Sequence, residues 1–324
     1  MTTARTDAER QLEAPGLPRY GIWTDMESSP MVIPETSRIF PNLRITQAQV
    51  LITGGTGFFG QGFARAALAQ GAGRVCIFSR SEYQQALMRQ EISDDRLRFF
   101  VGDVRDLARL KRAMDGIDVV VHAAALKRVE VAEYDAAEVV KTNVIGSMNV
   151  IEAATDAGVE KVVALSTDKA CEPLNAYGAT KLCAEKLFLA ANNARGATGP
   201  IFAVCRYGNV AGSTGSVIPT WRRALEQGRM VQVTDPECTR FWMTRDEAVG
   251  LVMDTIKTMQ GGELVIPDLP AYRLGDLAEA MGVSYALTGL PAREKRHEAM
   301  KPGETSDMAR RLTVDELRRL LEHV

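Results

Sequence analysis

The sequence predicts an α/β protein with a doubly wound parallel (Rossmann) sheet and a smaller C-terminal substrate-binding lobe. Short apolar runs alternate with helical patterns over residues 49–210, which is typical of βαβ units and a parallel sheet. A glycine-rich turn follows the first run, and the alternation weakens beyond residue 210. We therefore expect a Rossmann domain at 49–210, and mainly a substrate-binding lobe at 211–324 with some segments returning to the Rossmann domain.

Residues 1–48 precede the first predicted strand and form an N-terminal extension. Segment 20–41 contains Ile22, Trp23 and Phe40 among several prolines. This segment is too apolar for a free tail, so we expect an irregular arm that packs on the body or on a neighbouring subunit.

The first predicted strand, 50–53, leads into a glycine-rich turn and then a helix. Glycines 55, 57 and 60 match the G-x-G-x-x-G dinucleotide fingerprint, in which they permit a tight turn and close approach of a pyrophosphate. The unpaired N–H groups that begin the helix can bind its phosphates. The expected cofactor-binding residues of this turn are Gly54, Gly55, Thr56, Gly57, Phe58, Phe59 and Gly60.

The second predicted strand, 74–79, ends in Ser79 and Arg80. NAD-specific folds usually place an acidic residue there to bind the ribose 2′-hydroxyl, whereas a guanidinium suits a 2′-phosphate. The sequence therefore predicts NADP as the cofactor, bound in part by Ser79 and Arg80. The alternative is that Arg80 is simply solvated.

Two further strands are predicted at 98–103 and 118–125. The first ends in Asp103, and the second ends in three alanines whose small side chains would let a cofactor lie close. The cofactor contacts expected here are Asp103, Ala123, Ala124 and Ala125.

The fifth predicted strand, 161–165, leads into a segment that contains several candidate catalytic residues. Asp168 and Lys169 follow the strand directly, where ligands bind in open α/β sheets. In the helix that we expect from about Asn175, Tyr177 and Lys181 share one face. A neighbouring ammonium can lower the pKa of a tyrosine, which can then exchange a proton with a substrate hydroxyl. The Tyr-x-x-x-Lys pattern alone is common by chance. A sixth strand is predicted at 201–207.

Composition limits the functional classes. The chain has 324 residues, of which 46% are hydrophobic and 25% charged, and a formal net charge of −2. These values are ordinary for a soluble protein and predict no nucleic-acid partner. The sequence shows no long apolar run and no apolar leader. We therefore expect that the protein is neither inserted into a membrane nor secreted. Five scattered cysteines without a C-x-x-C pattern predict a cytoplasmic protein that binds no metal.

Together the motifs resemble those of the extended short-chain dehydrogenase/reductases, and in particular the inverting UDP-N-acetylglucosamine 4,6-dehydratases. The resemblance extends from about residue 50 to the C-terminus. Sugar-nucleotide epimerases share the Tyr and Lys but lack the Thr-Asp-Lys at 167–169. The most specific segments are 102–106, 123–127, 141–144, 166–170, 177–181, 206–210, 215–219 and 239–242.

The resemblance implies an NADP-dependent internal redox cycle that yields a 4-keto-6-deoxy sugar with inverted C5. Tyr177 would accept the C4 hydroxyl proton, and Lys181 would hold the nicotinamide ribose and tune Tyr177. Lys169 would be the base at C5, Asp168 the acid at the C6 oxygen, and Thr167 would position the sugar. A lysine base requires a lowered pKa.

The same resemblance implies further binding residues. For the cofactor these are Val104, Lys127 and Asn143, with Asn143 supporting the site from behind. For the substrate they are Lys127, Asn209, Val217, Ile218, Pro219, Arg240, Arg293, Glu294 and Lys295.

The chain departs from the family pattern in its late segment 291–298. The arginine expected to bind the UDP pyrophosphate is displaced there, and Arg293 or Arg296 could take its place. Glu130 and the pair Asp135-Ala136 also differ from the prolines that are usual at those positions. These differences leave the hexose and the diphosphate contacts open.

Two alternatives remain from the sequence. One is a UDP-sugar 4-epimerase or a dehydratase of another nucleotide sugar, and the other is a non-catalytic NADP-binding regulator. Relatives of this type are homo-oligomers, often hexamers built from dimers, so we also expect a homo-oligomer.

Overall fold

The computed structural model describes residues 45–324, so the predicted arm at 20–41 lies outside the described residues. Its centre is a seven-stranded parallel sheet in the order β10-β6-β5-β4-β1-β2-β3. These strands are β1 (Gln49–Thr53), β2 (Arg74–Ser79), β3 (Leu97–Val101), β4 (Val119–His122), β5 (Lys161–Leu165), β6 (Ile201–Cys205) and β10 (Leu264–Val265).

The predicted Rossmann-type α/β fold is confirmed. All residues of β5 and β6 are buried, as expected for parallel strands covered on both faces. The bounds predicted for β2 and β5 match the structure, whereas β4 ends at His122 and not at Ala125. The short strand β10 was not predicted.

Helices flank the sheet on both faces. They are α1 (Phe58–Ala69), α2 (Glu82–Glu91), α3 (Leu107–Met114), α4 (Val129–Tyr134), α5 (Ala136–Val140), α6 (Gly146–Asp156), α7 (Ala176–Ala194), α8 (Val217–Glu226), α9 (Arg245–Thr258), α10 (Leu274–Met281) and α11 (Val314–Leu321). A short π-helix, Lys141–Ile145, joins α5 to α6.

The two faces of the sheet have separate cores because side chains alternate along each strand. Ile52 packs in a cluster with Phe63 of α1 and Val252 of α9. Its neighbour Leu51 packs in another cluster, with Val150 of α6 and other side chains of α3 and α7. The helices thus fix the strand ends that carry the site.

Beside its helices, the C-terminal part contains smaller sheets. They are a three-stranded sheet of β7 (Asn209–Val210), β9 (Thr239–Met243) and β11 (Ala271–Arg273), a parallel pair of β8 (Val231–Val233) and β12 (Tyr285–Leu287), and a hairpin of β13 (Ala299–Lys301) and β14 (Glu304–Thr305). Ile218, Trp221 and Leu277 belong to a third core cluster in this part. The division at residue 210 stays a prediction, since β10 adds to the main sheet.

A buried ion pair ties α7 to the end of β6. Arg206 Nη2 and Nε donate to the two carboxylate oxygens of Glu185 at 2.5 and 2.9 Å. Arg206 Nη1 also donates to the carbonyl of Met300 in β13 at 2.6 Å. One guanidinium therefore connects the helix that carries Tyr177 to a strand of the C-terminal part.

Within residues 45–324, no helix combines the length and apolar character needed to span a membrane.

Candidate active site

A cavity of about 1070 Å³ lies at the C-terminal ends of the central strands. It brings the glycine-rich turn together with the residues that follow β2, β4, β5 and β6, which is the usual ligand position in an open α/β sheet. The predicted site residues that line it are Gly54, Thr56, Gly57, Phe58, Phe59, Gly60, Ser79, Arg80, Asp103, Val104, Ala123, Ala124, Ala125, Lys127, Thr167, Lys169, Tyr177, Lys181, Asn209, Arg240, Glu294 and Lys295.

The other predicted residues lie outside the cavity wall. Asp168 is fully buried, Ile218 packs in the core of the C-terminal part, and Arg293 is exposed on a turn. The side-chain amide of Asn143 binds the backbone N–H and carbonyl of Leu126, so this residue supports the loop after β4. The residues that do not line the cavity are Gly55, Asn143, Asp168, Val217, Ile218, Pro219 and Arg293.

The glycine-rich turn fits a dinucleotide. Helix α1 begins after Gly57 without a side-chain cap and without an acidic residue in its first turn, so its first N–H groups are available to phosphate oxygens. A Cβ on Gly60 would lie 2.6 Å from the Cα of Gly55, so only glycine allows the helix to pack this close to the turn.

The residues predicted to select the cofactor lie near one another. Ser79 is buried, and its hydroxyl accepts a hydrogen bond from Gln85 at 3.0 Å, while Arg80 is exposed at the cavity. Asp103 forms an ion pair with Arg105 at 2.7 Å. Burial raises the pKa of Asp103, but hydrogen bonds from Arg105 outweigh this effect and hold the pKa below its usual range. This carboxyl is therefore charged.

A single 3₁₀ turn, Asp168–Ala170, presents the acid and lysine after β5. The Thr167 hydroxyl donates to Asp168 Oδ1 at 2.9 Å. Gly178 in α7 packs directly on the Lys169 carbonyl, where any Cβ would overlap the oxygen. The turn and the first turn of α7 are therefore held together by backbone contact.

Three oxygens surround the Lys169 ammonium. Its Nζ lies 3.1 Å from Asp168 Oδ1, 3.0 Å from Glu298 Oε1 and 3.4 Å from Asn209 Oδ1. Burial favours the neutral amine, but the carboxylates of Asp168 and Glu298 outweigh it and raise the pKa of Lys169 above its usual value. The lowered pKa that a lysine base requires is thus not found, because two carboxylates face this side chain.

Tyr177 and Lys181 both line the cavity, and burial shifts the pKa of each toward its neutral form. Burial raises the pKa of Tyr177 to about 12, against the opposing effects of the Lys169 charge and a hydrogen bond with Thr167. Lys181 Nζ donates to the carbonyl of Leu165 at 2.5 Å, and burial lowers the pKa of Lys181 to about 8. Among the effects that favour the Tyr177 phenolate, the charge of Lys169 is the largest.

The two arginines proposed from the sequence to bind the diphosphate do not line the cavity, whereas other arginines do. Arg296 pairs with Asp235 at 3.0 Å and, like Arg293, does not line the cavity. Arg223 of α8 and Arg128 do line it. Neither was predicted, because neither belongs to a motif that sequence reasoning recognises.

Glu298 lies in the site but was not predicted from the sequence. It is 3% exposed, contributes to the cavity wall, and lies 3.0 Å from Lys169 Nζ and 3.9 Å from Arg240 Nε. Its only sequence signal is its place at the end of segment 291–298, which resembles a late segment of the family. Its partner Arg240 also lies 3.9 Å from Glu294.

Comparison with known proteins decides the family. The model of the family described as polysaccharide biosynthesis protein matches residues 50–315. The chain belongs to this family. Among its relatives, a UDP-N-acetylglucosamine 4,6-dehydratase (inverting) of Campylobacter jejuni is 44% identical over 263 residues, which are 80% of this chain and 79% of that protein. A UDP-glucose 4-epimerase of Rickettsia prowazekii is 38% identical over 271 residues, or 81% and 79% of the two chains.

Solved structures of similar proteins share the fold. Pen from Bacillus thuringiensis superposes with a TM-score of 0.82 at 35% identity, over 87% of this chain and 100% of that chain. MoeE5 in complex with UDP-glucose and NAD gives a TM-score of 0.70 at 25% identity, over 85% of this chain and 97% of that chain. The resemblance to the inverting dehydratases, stated from sequence motifs, is confirmed.

Proposed function

We propose that the protein is a cytoplasmic, NADP-dependent 4,6-dehydratase (a hydro-lyase) of a UDP-hexose, with UDP-N-acetylglucosamine as the expected substrate and inversion at C5. The product is a UDP-4-keto-6-deoxy-hexose. The observation that carries this proposal is a single cavity that unites a dinucleotide-binding turn, the pair Tyr177 and Lys181, and an acid–lysine cluster. The Campylobacter relative supports the same reaction.

The nicotinamide cofactor, when bound, supplies the acceptor for the hydride that leaves C4 and the donor for the hydride that returns at C6. The chain supplies the proton chemistry. The Tyr177 hydroxyl takes the proton of the C4 hydroxyl, and both the charge of Lys169 and the hydrogen bond with Thr167 favour the resulting phenolate. The ammonium of Lys181, fixed on the Leu165 carbonyl, is placed to hold the ribose.

Elimination follows because the new 4-keto group acidifies the C5 proton. We assign the base at C5 to Lys169. Asp168, which the resemblance makes the acid at the C6 oxygen, does not line the cavity and lies 3.1 Å from Lys169 Nζ, so we assign to it the support of Lys169. An acid and a base side by side allow water to leave without free ions. Since Lys169 is held as an ammonium between carboxylates, it must first pass a proton to one of them.

A UDP-sugar 4-epimerase is the competing activity, because the Rickettsia relative is of similar identity. An epimerase needs only to remove hydride from C4 and return it there. It has no use for the buried cluster of Asp168, Lys169 and Glu298, and a non-catalytic NADP-binding regulator needs none of these residues. The cluster therefore favours the dehydratase.

Product analysis separates these possibilities. Purified protein with NADP⁺ is incubated with UDP-N-acetylglucosamine, and in parallel with UDP-glucose, and products are followed by proton NMR. A dehydratase converts the C6 hydroxymethyl group into a methyl group next to a 4-keto carbon. Inversion at C4 with C6 intact would identify an epimerase, and unchanged substrates would contradict both enzymes.

Arg80 is expected to determine the cofactor. Arg80→Ala should weaken NADP⁺ binding about 10- to 150-fold, since hydrogen bonds to charged groups contribute about 1.5–3 kcal/mol. NAD⁺ binding should change by less than about twofold, because NAD⁺ lacks the 2′-phosphate. Titration calorimetry of both cofactors checks this, with Arg112→Ala, an exposed arginine of α3 outside the cavity, as the charge-matched control. Equal losses for both cofactors would contradict a role in reading the 2′-phosphate.

We also propose that the protein is a homo-oligomer built from dimers. Exposed apolar side chains recur along α4, α5, the short π-helix and α6. They are Val131, Tyr134, Val140, Ile145 and Met148. Static light scattering should give a multiple of the 35.4 kDa chain mass. A monodisperse monomer at micromolar concentration would contradict the proposal.

A further inference from the structure

A buried glutamate, Glu298, lies between the cavity and the Lys169 ammonium. We propose that Glu298 is a catalytic residue that takes a proton from Lys169 and delivers it to the departing C6 oxygen. The inference rests on the proposed dehydratase function and assigns a role that the Thr-Asp-Lys turn alone does not provide.

Lys169 is held as an ammonium and cannot act as a base in that state. Its Nζ is surrounded by oxygens of Asp168, Glu298 and Asn209 within 3.4 Å, and an ammonium has no lone pair with which to accept a C5 proton. The amide oxygen of Asn209 is not a useful proton acceptor. The proton must therefore pass to Asp168 or to Glu298 before Lys169 can act as a base.

The two carboxylates differ in their position relative to the cavity. Asp168 is 0% exposed and does not line the cavity, and its Oδ2 lies against Gly208, where a Cβ would be 3.5 Å away. Glu298 contributes to the cavity wall. A proton that starts on Glu298 therefore has the shorter path to a bound sugar.

The two carboxylates also differ in hydrogen bonding. Asp168 Oδ1 accepts from both the Thr167 hydroxyl at 2.9 Å and Lys169 Nζ at 3.1 Å, so this oxygen already has two donors. Glu298 Oε1 has Lys169 at 3.0 Å, while Arg240 Nε lies beyond hydrogen-bond distance at 3.9 Å. Glu298 Oε2 is buried without a hydrogen-bond partner in the part of the chain that the structure describes, and so is Asp168 Oδ2, so the hydrogen bonding of the two carboxylates differs only in the donors on their other oxygen. A buried carboxylate oxygen without a donor is well suited to receive a proton.

The proton inventory then balances. An N–H bond of Lys169 breaks and an O–H bond forms on Glu298, which gives a neutral amine beside a carboxylic acid. The amine takes the C5 proton, the C5–H electron pair forms the C5–C6 double bond as the C6–O bond breaks, and Glu298 protonates the departing oxygen to release water. Lys169 and Glu298 end as ammonium and carboxylate, as they began.

The test is Glu298→Gln, which keeps the size of the side chain but cannot carry the proton. Oxidation at C4 should persist, whereas formation of the 4-keto-6-deoxy product should fall about 10²- to 10⁴-fold. As a second readout, the 4-keto-6-deoxy product made by the wild-type enzyme is incubated in D₂O, and loss of its C5 proton signal is followed by NMR. This exchange needs no hydride transfer. In the variant its rate should be lower than in the wild-type enzyme, and it should increase with pH because Lys169 then loses its proton to solvent.

A contrasting variant tests whether Glu298 acts only through Arg240. Glu294→Gln also removes a carboxylate 3.9 Å from Arg240 but does not touch Lys169, so it should alter KM more than kcat and leave the pH profile unchanged. Normal product formation and normal C5 exchange in Glu298→Gln would overturn the proposal, as would identical behaviour of the two variants. If wild-type enzyme forms no 4-keto-6-deoxy product from any UDP-hexose, the proposed function itself fails.

Circular dichroism and cofactor titration establish that Glu298→Gln is folded. Should it not fold, the pH profile of the wild-type exchange decides. A rate that is flat across the neutral range supports internal transfer to Glu298. A rate that increases in proportion to hydroxide concentration overturns it, since Lys169 would then lose its proton to solvent.

Discussion

Tyr177→Phe is expected to stop the reaction before any sugar intermediate forms. We propose that the phenol hydroxyl, which lines the cavity, takes the C4 hydroxyl proton, and removal of a general base commonly slows a reaction about 10²- to 10⁴-fold. Neither a 4-keto hexose nor the near-ultraviolet absorbance of reduced nicotinamide should accumulate. Rapid mixing of the variant with cofactor and substrate, followed by absorbance and by mass spectrometry of the quenched sugar, checks both.

The matched control is Tyr83→Phe, which removes the hydroxyl of a 66% exposed tyrosine in α2 and should leave turnover unchanged. Cofactor binding should be retained in both variants because the glycine-rich turn is untouched. Accumulation of a 4-keto hexose at the normal rate in Tyr177→Phe would show that another group takes the C4 proton.

Lys169→Ala is expected to stop the reaction one step later. Tyr177 remains, so oxidation at C4 can proceed, although more slowly because the charge of Lys169 no longer favours the Tyr177 phenolate. The 4-keto hexose should therefore accumulate with near-ultraviolet absorbance of reduced nicotinamide. Exchange of the C5 proton with solvent deuterium should fall about 10²- to 10⁴-fold, because the amine that removes it is gone. NMR of the sugar in D₂O measures this exchange.

Stability needs attention in this variant, since Lys169→Ala leaves the buried carboxylates of Asp168 and Glu298 without their shared cation. Breaking a buried ion pair commonly costs about 3–5 kcal/mol, so the rates are measured well below the lowered unfolding temperature. Lys186→Ala, an exposed lysine of α7, is the control. Normal C5 exchange in Lys169→Ala would assign the base to a carboxylate, with Asp168 and Glu298 as the candidates.

The sheet was predictable where the sequence pattern is local. The apolar runs of β2 and β5 have the bounds that the structure confirms, and Asn175 caps α7 through its side chain as expected. Strand β4 was predicted too long because Ala123 to Ala125 are apolar, although the chain has left the sheet there and faces the cavity. Strand β10 is only two residues long, which is too short for a recognisable period.

The site was predictable in its composition but not in its charge state. Tyr177, Lys181 and Lys169 are neighbours in sequence, so motif spacing identifies them. Asp168 and then Glu298 raise the pKa of Lys169. Glu298 and the cavity-lining Arg223 reach the cavity only through tertiary folding of the C-terminal part. A sequence pattern cannot indicate that a distant carboxylate adds to the effect of Asp168 on the pKa of Lys169.

The Arg206 guanidinium, which joins Glu185 of α7 to the Met300 carbonyl, has a consequence for how ionic-strength experiments are interpreted. Its contacts are buried, and dissolved ions screen buried pairs much less than exposed ones. Exposed cations at the cavity, such as Arg80, are screened readily. Added salt should therefore weaken capture of the charged nucleotides while the spacing between α7 and the strand that follows Glu298 is maintained, so a salt-dependent rate reports on substrate capture.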